Sequence, residues 1–293
     1  MSLRMRRLSC AAALGLAICA HGSTAFAQAS PTFGVASVRP SPDGPPAQGQ
    51  AGVHITKNQV RFAYLSLRDY ISLAFAVPIQ QVSGPEWVNS TRFDIAATMP
   101  EEATPEDFAK MMEALLRDRF KLQAHKESRE STVLALEVGR NGTKLVAVPD
   151  DIPKDAPVSI TSSGTAQGVS ADLGGGSSFT LTNTRFEFKK VTMQSVADTL
   201  GRFMRHPVIN LTKLDGRFDI GFNIAPEDYM PLMIRSAVNA GITLPPQALQ
   251  MLDAPSLGSV ENGLRSLGLS LEERRAPLEY IVVDSMERTP TEN

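Results

Sequence analysis

The chain has 293 residues, of which 42% are hydrophobic and 20% charged, and a formal net charge of −2. So small and negative a balance argues against a nucleic-acid partner, which calls for a basic surface, and the length exceeds one ordinary domain and suits two. Both cysteines, Cys10 and Cys19, lie close to the amino terminus, so the rest of the chain has no thiol for a disulfide, a thiolate metal site or a nucleophile.

Residues 1–27 read as a secretory signal. Arg4, Arg6 and Arg7 form a basic start, Leu8 to Ala20 an apolar stretch, and Ala25-Phe26-Ala27 a small-x-small cleavage site. A membrane anchor is the competing reading, but the apolar stretch falls short of the roughly 20 residues needed to span a bilayer. Lipid attachment at Cys19 is disfavoured by the bulky Ile18 before it. Removal of the signal takes three arginines and no acid, which moves the formal charge to about −5. The mature chain is expected in the periplasm or outside the cell, in solution, because no later apolar run is long enough to cross a membrane.

Phe33 to Val38 suits an opening strand, and the Pro/Gly-rich stretch Pro40 to Gly52 a loop. Apolar positions alternate from His54 to Leu65, after which Ser66-Leu67-Arg68-Asp69 has the spacing of a capping box, predicting a helix from about Leu67 to Ala76. Pro78 limits that helix, and Gln81 to Pro85 marks a short strand and turn before Trp87. In Arg92-Phe93-Asp94-Ile95 the strand period sends Phe93 and Ile95 to the core and puts Arg92 and Asp94 on the other face. Thr104-Pro105-Glu106-Asp107 opens a helix whose Phe108, Met111, Met112, Leu115 and Leu116 form one apolar stripe. Phe120 to His125 and Thr132 to Val138 are predicted as a hairpin around a charged turn, Lys126 to Glu130.

The tetrapeptide returns as Arg217-Phe218-Asp219-Ile220, in similar company. Arg185 to Lys189 alternates like a strand, Thr192 is a candidate cap, Met193 to Met204 suits a helix, and Gly258 to Leu267 suits another. Leu269 to Leu271 and Leu278 to Asp284 are predicted as strands flanking a second charged turn. The fold class is therefore α+β, with two tandem related βαββαββ-type modules, each a small mixed sheet with two helices packed on it. Two unrelated α/β units are the alternative. The division is 28–140 for the first module, 141–184 for a Gly/Ser/Pro-rich linker, and 185–293 for the second, with an insertion at about 226–255 suited to a lid or contact surface.

His54, His125 and His206 lack metal-ligand spacing, and the two common serine-hydrolase signatures are missing. Gly174-Gly175-Gly176 lacks the lysine of a phosphate-binding loop and reads as linker. No catalytic residue, metal ligand or cofactor site is assigned. The candidate binding residues are Trp87, which either packs under its turn or stacks on a sugar or partner, and the pairs Arg92/Asp94 and Arg217/Asp219. The shared strand face within each pair favours local charge pairing over a catalytic carboxylate dyad.

Several stretches together resemble a family of exported proteins of unknown function found in soil bacteria of the acidobacterial type. They are Phe33 to Ser41, Ser83-Gly84-Pro85-Glu86-Trp87 with Arg92 to Ile95, Leu116 to Leu122, Asp215 to Asp219, and Glu287 to Asn293. Gly34 departs from an acidic residue associated with its position. The resemblance implies an extracytoplasmic protein, and similar modules are attached in some members to membrane metallopeptidases of the β-lactam-sensor type, which suggests sensing or binding. The half-repeat also looks like the small modules of secretins and TonB-dependent receptors, a fold-level analogy. The expectation is a non-catalytic envelope protein that binds a small ligand or an envelope partner, by strand addition at a sheet edge in the latter case. An extracytoplasmic hydrolase with a non-motif active site is the alternative.

Overall fold

The computed structural model describes residues 31–44, 51–100, 103–151, 158–165, 168–239, 244–253 and 258–291. The expected signal segment, with Cys10 and Cys19, lies outside them. In chain order the elements are β1 (Ala36–Pro40), β2 (Gly52–Thr56), β3 (Gln59–Ser66), α1 (Leu67–Phe75), β4 (Val82–Ser83), α2 (Trp87–Ser90), β5 (Arg92–Thr98), α3 (Pro105–Arg119) and β6 (Gln123–Val138). There follow β7 (Ala147–Val148), β8 (Val158–Thr165), β9 (Gly168–Gly174), β10 (Ser177–Thr182), β11 (Arg185–Val191), α4 (Met193–Phe203), β12 (Val208–Asn210) and β13 (Arg217–Asn223). The chain ends with α5 (Pro226–Asn239), α6 (Pro246–Gln250), α7 (Gly258–Ser266) and β14 (Leu269–Ser285). The fold is α+β.

The helix starts follow local chemistry. Ser66 Oγ accepts the Asp69 N–H at 3.2 Å while Asp69 Oδ2 accepts the Ser66 N–H at 2.8 Å, and Thr104 with Asp107 repeats the exchange at α3. Two otherwise orphaned amides are satisfied at each start. Thr192 caps α4 by accepting from Ser195 N at 3.2 Å. α1 stops where Ala76 turns left-handed, two residues before Pro78.

The strands form two sheets. The larger has the order β1-β5-β3-β2-β8-β9-β10-β11-β13-β7, and its pairings are antiparallel. The smaller runs β12-β6-β14-β4. In it β6 and β14 are antiparallel from Leu269 opposite Val138 to Ser285 opposite Gln123, while β12 pairs in parallel with β6 and β4 with β14.

Two apolar cores result. Phe62, Tyr70, Ile71, Phe93, Ile95, Met111, Met112, Leu116 and Phe120 make the first, joined by Ile281 and Val283 from the end of β14. Phe186, Phe188, Leu200, Phe203, Phe218 and Phe222 dominate the second, which takes Leu136 from the end of β6. Each long strand thus closes a core whose other members lie in the opposite part of the sequence. Burial of one such Leu, Ile or Phe side chain contributes about 1.5–3 kcal/mol, so the interlock binds the cores together strongly. The Tyr70 hydroxyl, buried and held protonated by that burial, donates to Phe93 O at 2.8 Å and fixes α1 on β5.

Three sequence expectations change. The two predicted hairpins are single strands, β6 and β14. Their charged middles are ladder positions, not turns, because the charges are matched between and along strands: Lys126 Nζ lies 2.8 Å from Glu279 Oε1, Arg274 Nη2 2.6 Å from Glu137 Oε2, and the Arg129 guanidinium 5.0 Å from the Tyr280 ring centroid. Pro277 interrupts the donors of β14 opposite Glu130, whose carbonyl accepts from Arg275 Nη2 at 3.3 Å instead. Second, residues 141–184, read as linker, contain β7 to β10. Gly175 and Gly176 (φ 59° and 76°) form the two-residue turn between β9 and β10, a conformation that closes antiparallel hairpins and strongly favours glycine. Third, the modules do not keep separate small sheets, since β4 and β12 each pair with a long strand from the far part of the chain.

Candidate functional site: a polar cleft between the cores

A cleft of about 450 Å³ lies where the two parts of the chain meet. Ser131 and Thr132 of β6 and Tyr280 of β14 come from the small sheet, and Arg68 of α1 and Gln80 of the 3-10 turn Ile79–Gln81 from the first part. Gly201 and Met204 at the end of α4, the following Arg205-His206-Pro207, and Val238 and Asn239 at the end of α5 come from the second. Asn239 Nδ2 donates to Arg202 O at 2.8 Å, which ties the ends of α5 and α4 together beside the cleft.

The hydrogen bonding of this site is incomplete. Arg68 Nη2 donates to Val82 O at 3.1 Å, but its buried Nε has no acceptor, and the buried Gln80 Nε2 likewise has none. Burial pulls the Arg68 guanidinium below its ordinary range, opposed by the nearby Asp69 carboxylate. That carboxylate is engaged with the Ser66 N–H and hydroxyl at 2.8 and 2.6 Å. Arg68 is also the second residue of α1, where the helix dipole disfavours a cation. Among the described residues the side chains of Arg205 and His206 make no hydrogen bond or ion pair. Tyr280 OH lies 3.1 Å from Ser131 Oγ. Among the described residues the lining carries two arginines and a histidine and no carboxylate.

The residues singled out from sequence lie elsewhere. Arg92 Nη1 donates to Tyr64 O at 3.2 Å and its guanidinium lies 4.9 Å from the Tyr64 ring centroid, while Asp94 Oδ1 accepts from Ser41 Oγ at 2.6 Å and Tyr64 N at 2.8 Å. Arg217 Nη1 donates to Lys190 O at 3.0 Å and Ser177 Oγ at 2.8 Å, its Nε pairs with Asp150 at 2.9 Å, and Asp219 Oδ1 accepts from Lys190 N at 2.8 Å. Each Arg/Asp pair therefore converges on one backbone bulge, on β3 or on β11. Six strands separate β5 from β13 in the sheet order, so the two aspartates do not form a dyad. Trp87 packs partly buried against the first core, with the Arg288 guanidinium 5.0 Å from its ring centroid. Glu287 N donates to Phe120 O and Thr291 N to Arg119 O, both at 2.8 Å, so the carboxyl-terminal segment is bound along the α3–β6 junction.

Of the histidines, His206 lines the cleft and His125 pairs with Asp284 at 2.9 Å on the surface. Among the described residues no group of three or more His, Cys, Asp or Glu side chains is placed to hold a metal ion, and no helix is long and apolar enough to cross a membrane. Arg68, Gln80, Arg205 and Tyr280 were not singled out from sequence as site residues. Arg68 had one readable signal, a cation at the unfavourable end of a well-capped helix.

The fold and cleft define an α+β protein with a cation-lined polar pocket at the junction of two cores. A family model described as a protein of unknown function, DUF3738, matches residues 68–286, and the chain belongs to that family. No curated protein and no solved structure matches the chain.

Proposed function

We propose that this is an exported, non-catalytic binding protein of the cell envelope, built from two related modules that hold a small ligand in the cleft between them. A cavity large enough for an organic molecule, lined by Arg68, Arg205 and His206 and by no carboxylate among the described residues, is the observation that carries the binding reading. Export rests on the signal-like residues 1–27. A sensing role rests on the resemblance to modules appended to sensor-type metallopeptidases.

Relatedness of the modules is supported at several points. Tyr64 (φ 60°) and Lys190 (φ 48°) sit at matching bulges with the same Arg and Asp contacts, Ser66 and Thr192 cap the helices that follow, and Phe93 and Phe218 stand opposite Leu65 and Val191. Lys121 (φ 52°) and Gly268 (φ 80°) turn the chain into the two long strands. The small sheet also reads alike from either edge, a short parallel strand followed by a long one.

The test is native mass spectrometry of the purified chain after exposure to a small-molecule extract of the cell envelope, beside His206→Trp, which fills the cleft. Wild type should retain a small molecule that the variant loses. Retention by both, or by neither, overturns the reading.

A further inference from the structure

We infer that the cleft takes a small organic oxyanion, with its charged group on the wall that carries Arg68 and Arg205 and its body against Met204, Pro207 and Val238. This rests on the proposed ligand-binding reading and deepens it by fixing the ligand's charge. The sign follows from what each polar group can do. Gln80 can turn either end of its amide inward, and Ser131, Thr132 and Tyr280 hydroxyls can donate or accept, but a guanidinium only donates. Nη2 of Arg68 is bonded to a neutral carbonyl and the enclosed Nε–H has no acceptor, so no protein anion is hydrogen-bonded to this guanidinium through either atom. Asp69 offsets the charge from a distance, its carboxylate being committed to Ser66.

The other fixed charge in the lining, Arg205, has the same sign. Among the described residues, Arg205 and His206 line the cleft without an internal partner and no carboxylate opposes them there. An incoming oxyanion would accept charge-assisted bonds from the guanidinium groups that line the cleft, stronger than neutral ones. The volume, about 450 Å³, far exceeds the roughly 30 Å³ share of one water, so a carboxylate or phosphate ester with an organic body fits better than a bare ion.

The test is calorimetric titration and thermal shift of the purified chain with matched probes: organic carboxylates and phosphate esters, each beside an uncharged amide or alcohol of the same body, and inorganic phosphate alone. Anions should bind about tenfold or more tightly than their neutral partners, with affinity falling as salt is added. The carboxylate and ester arms show which oxyanion is preferred. Arg68→Gln should lose about tenfold or more; should it fail to fold, the more exposed Arg205→Gln combined with His206→Gln should weaken anions by a larger factor than neutral probes. Neutral probes that bind as well as their anions, anion affinity unchanged in the folded variants, or no preference across the panel would overturn the inference while any binding blocked by His206→Trp keeps the ligand reading. If His206→Trp blocks nothing in either experiment, the reading itself fails.

Discussion

Asp94 and Asp219 make the same bond in two places, each accepting at 2.8 Å the backbone N–H of a left-handed residue in a neighbouring bulged strand, Tyr64 for one and Lys190 for the other. A non-glycine residue at positive φ is strained, and at a bulge its amide leaves the ladder. The carboxylate replaces the lost partner, and the arginine two residues earlier takes the carbonyl of the same residue. The repeated Arg-Phe-Asp-Ile is accordingly a fold device: its apolar positions enter a core and its charges brace a bulge.

The two braces differ in exposure, and that difference decides their worth. Asp94 is half-buried and also holds Ser41, whereas Asp219 is exposed and water can reach its amide. Asp94→Ala should lower unfolding free energy by about 1–3 kcal/mol, the cost of an unsatisfied part-buried donor. Asp219→Ala should cost distinctly less. Urea denaturation of the two variants checks the order; equal losses would contradict it.

What was readable in the sequence was local. The Ser66/Asp69 and Thr104/Asp107 boxes were legible because donor and acceptor lie three residues apart, and Phe93 and Ile95 because a strand face repeats every second residue. The long strands were not, since Lys126 to Glu130 has the composition of a turn until β14 supplies Glu279 and Tyr280 beside it. Gly175-Gly176 carried a hairpin signal hidden in a Gly/Ser-rich stretch. The cleft was illegible for a further reason: Arg68, Gln80, His206 and Tyr280 come from separate segments, and only the pairing of β6 with β14 and the placement of α4 and α5 bring them together.

Asp198 offers a pH test. Burial on α4 raises its carboxyl above the ordinary value, with the Gln194 hydrogen bond and Arg202 opposing. The folded chain therefore holds this proton more tightly than the unfolded one, so the group's contribution is most favourable below the unfolded carboxyl value and declines as pH rises through the folded one. Asp198→Asn retains an acceptor for Gln194 Nε2, which donates to Oδ1 at 2.9 Å, and removes the titration. The variant should melt higher than wild type at neutral pH, with the gap closing on acidification. A gap that widens in acid would show that the ionised form is the stabilising one.

The interlock of the cores makes a sharper demand. Ile281 belongs by sequence to the last strand, yet it is fully buried in the core formed by residues 33–122 and lies in parallel register with Val82. Ile281→Ala should cost about 2–5 kcal/mol, the range for truncation of a buried isoleucine. The loss should appear far away in sequence: hydrogen exchange of α1 and α3 should speed up more than that of α4, whose core does not contain Ile281. If the first core were closed without β14, α1 and α3 would keep their protection and only the end of β14 would loosen. The same variant bears on the cleft, because β14 carries both Ile281 and its neighbour Tyr280; a shift of that strand should weaken any ligand whose binding depends on the Tyr280 hydroxyl.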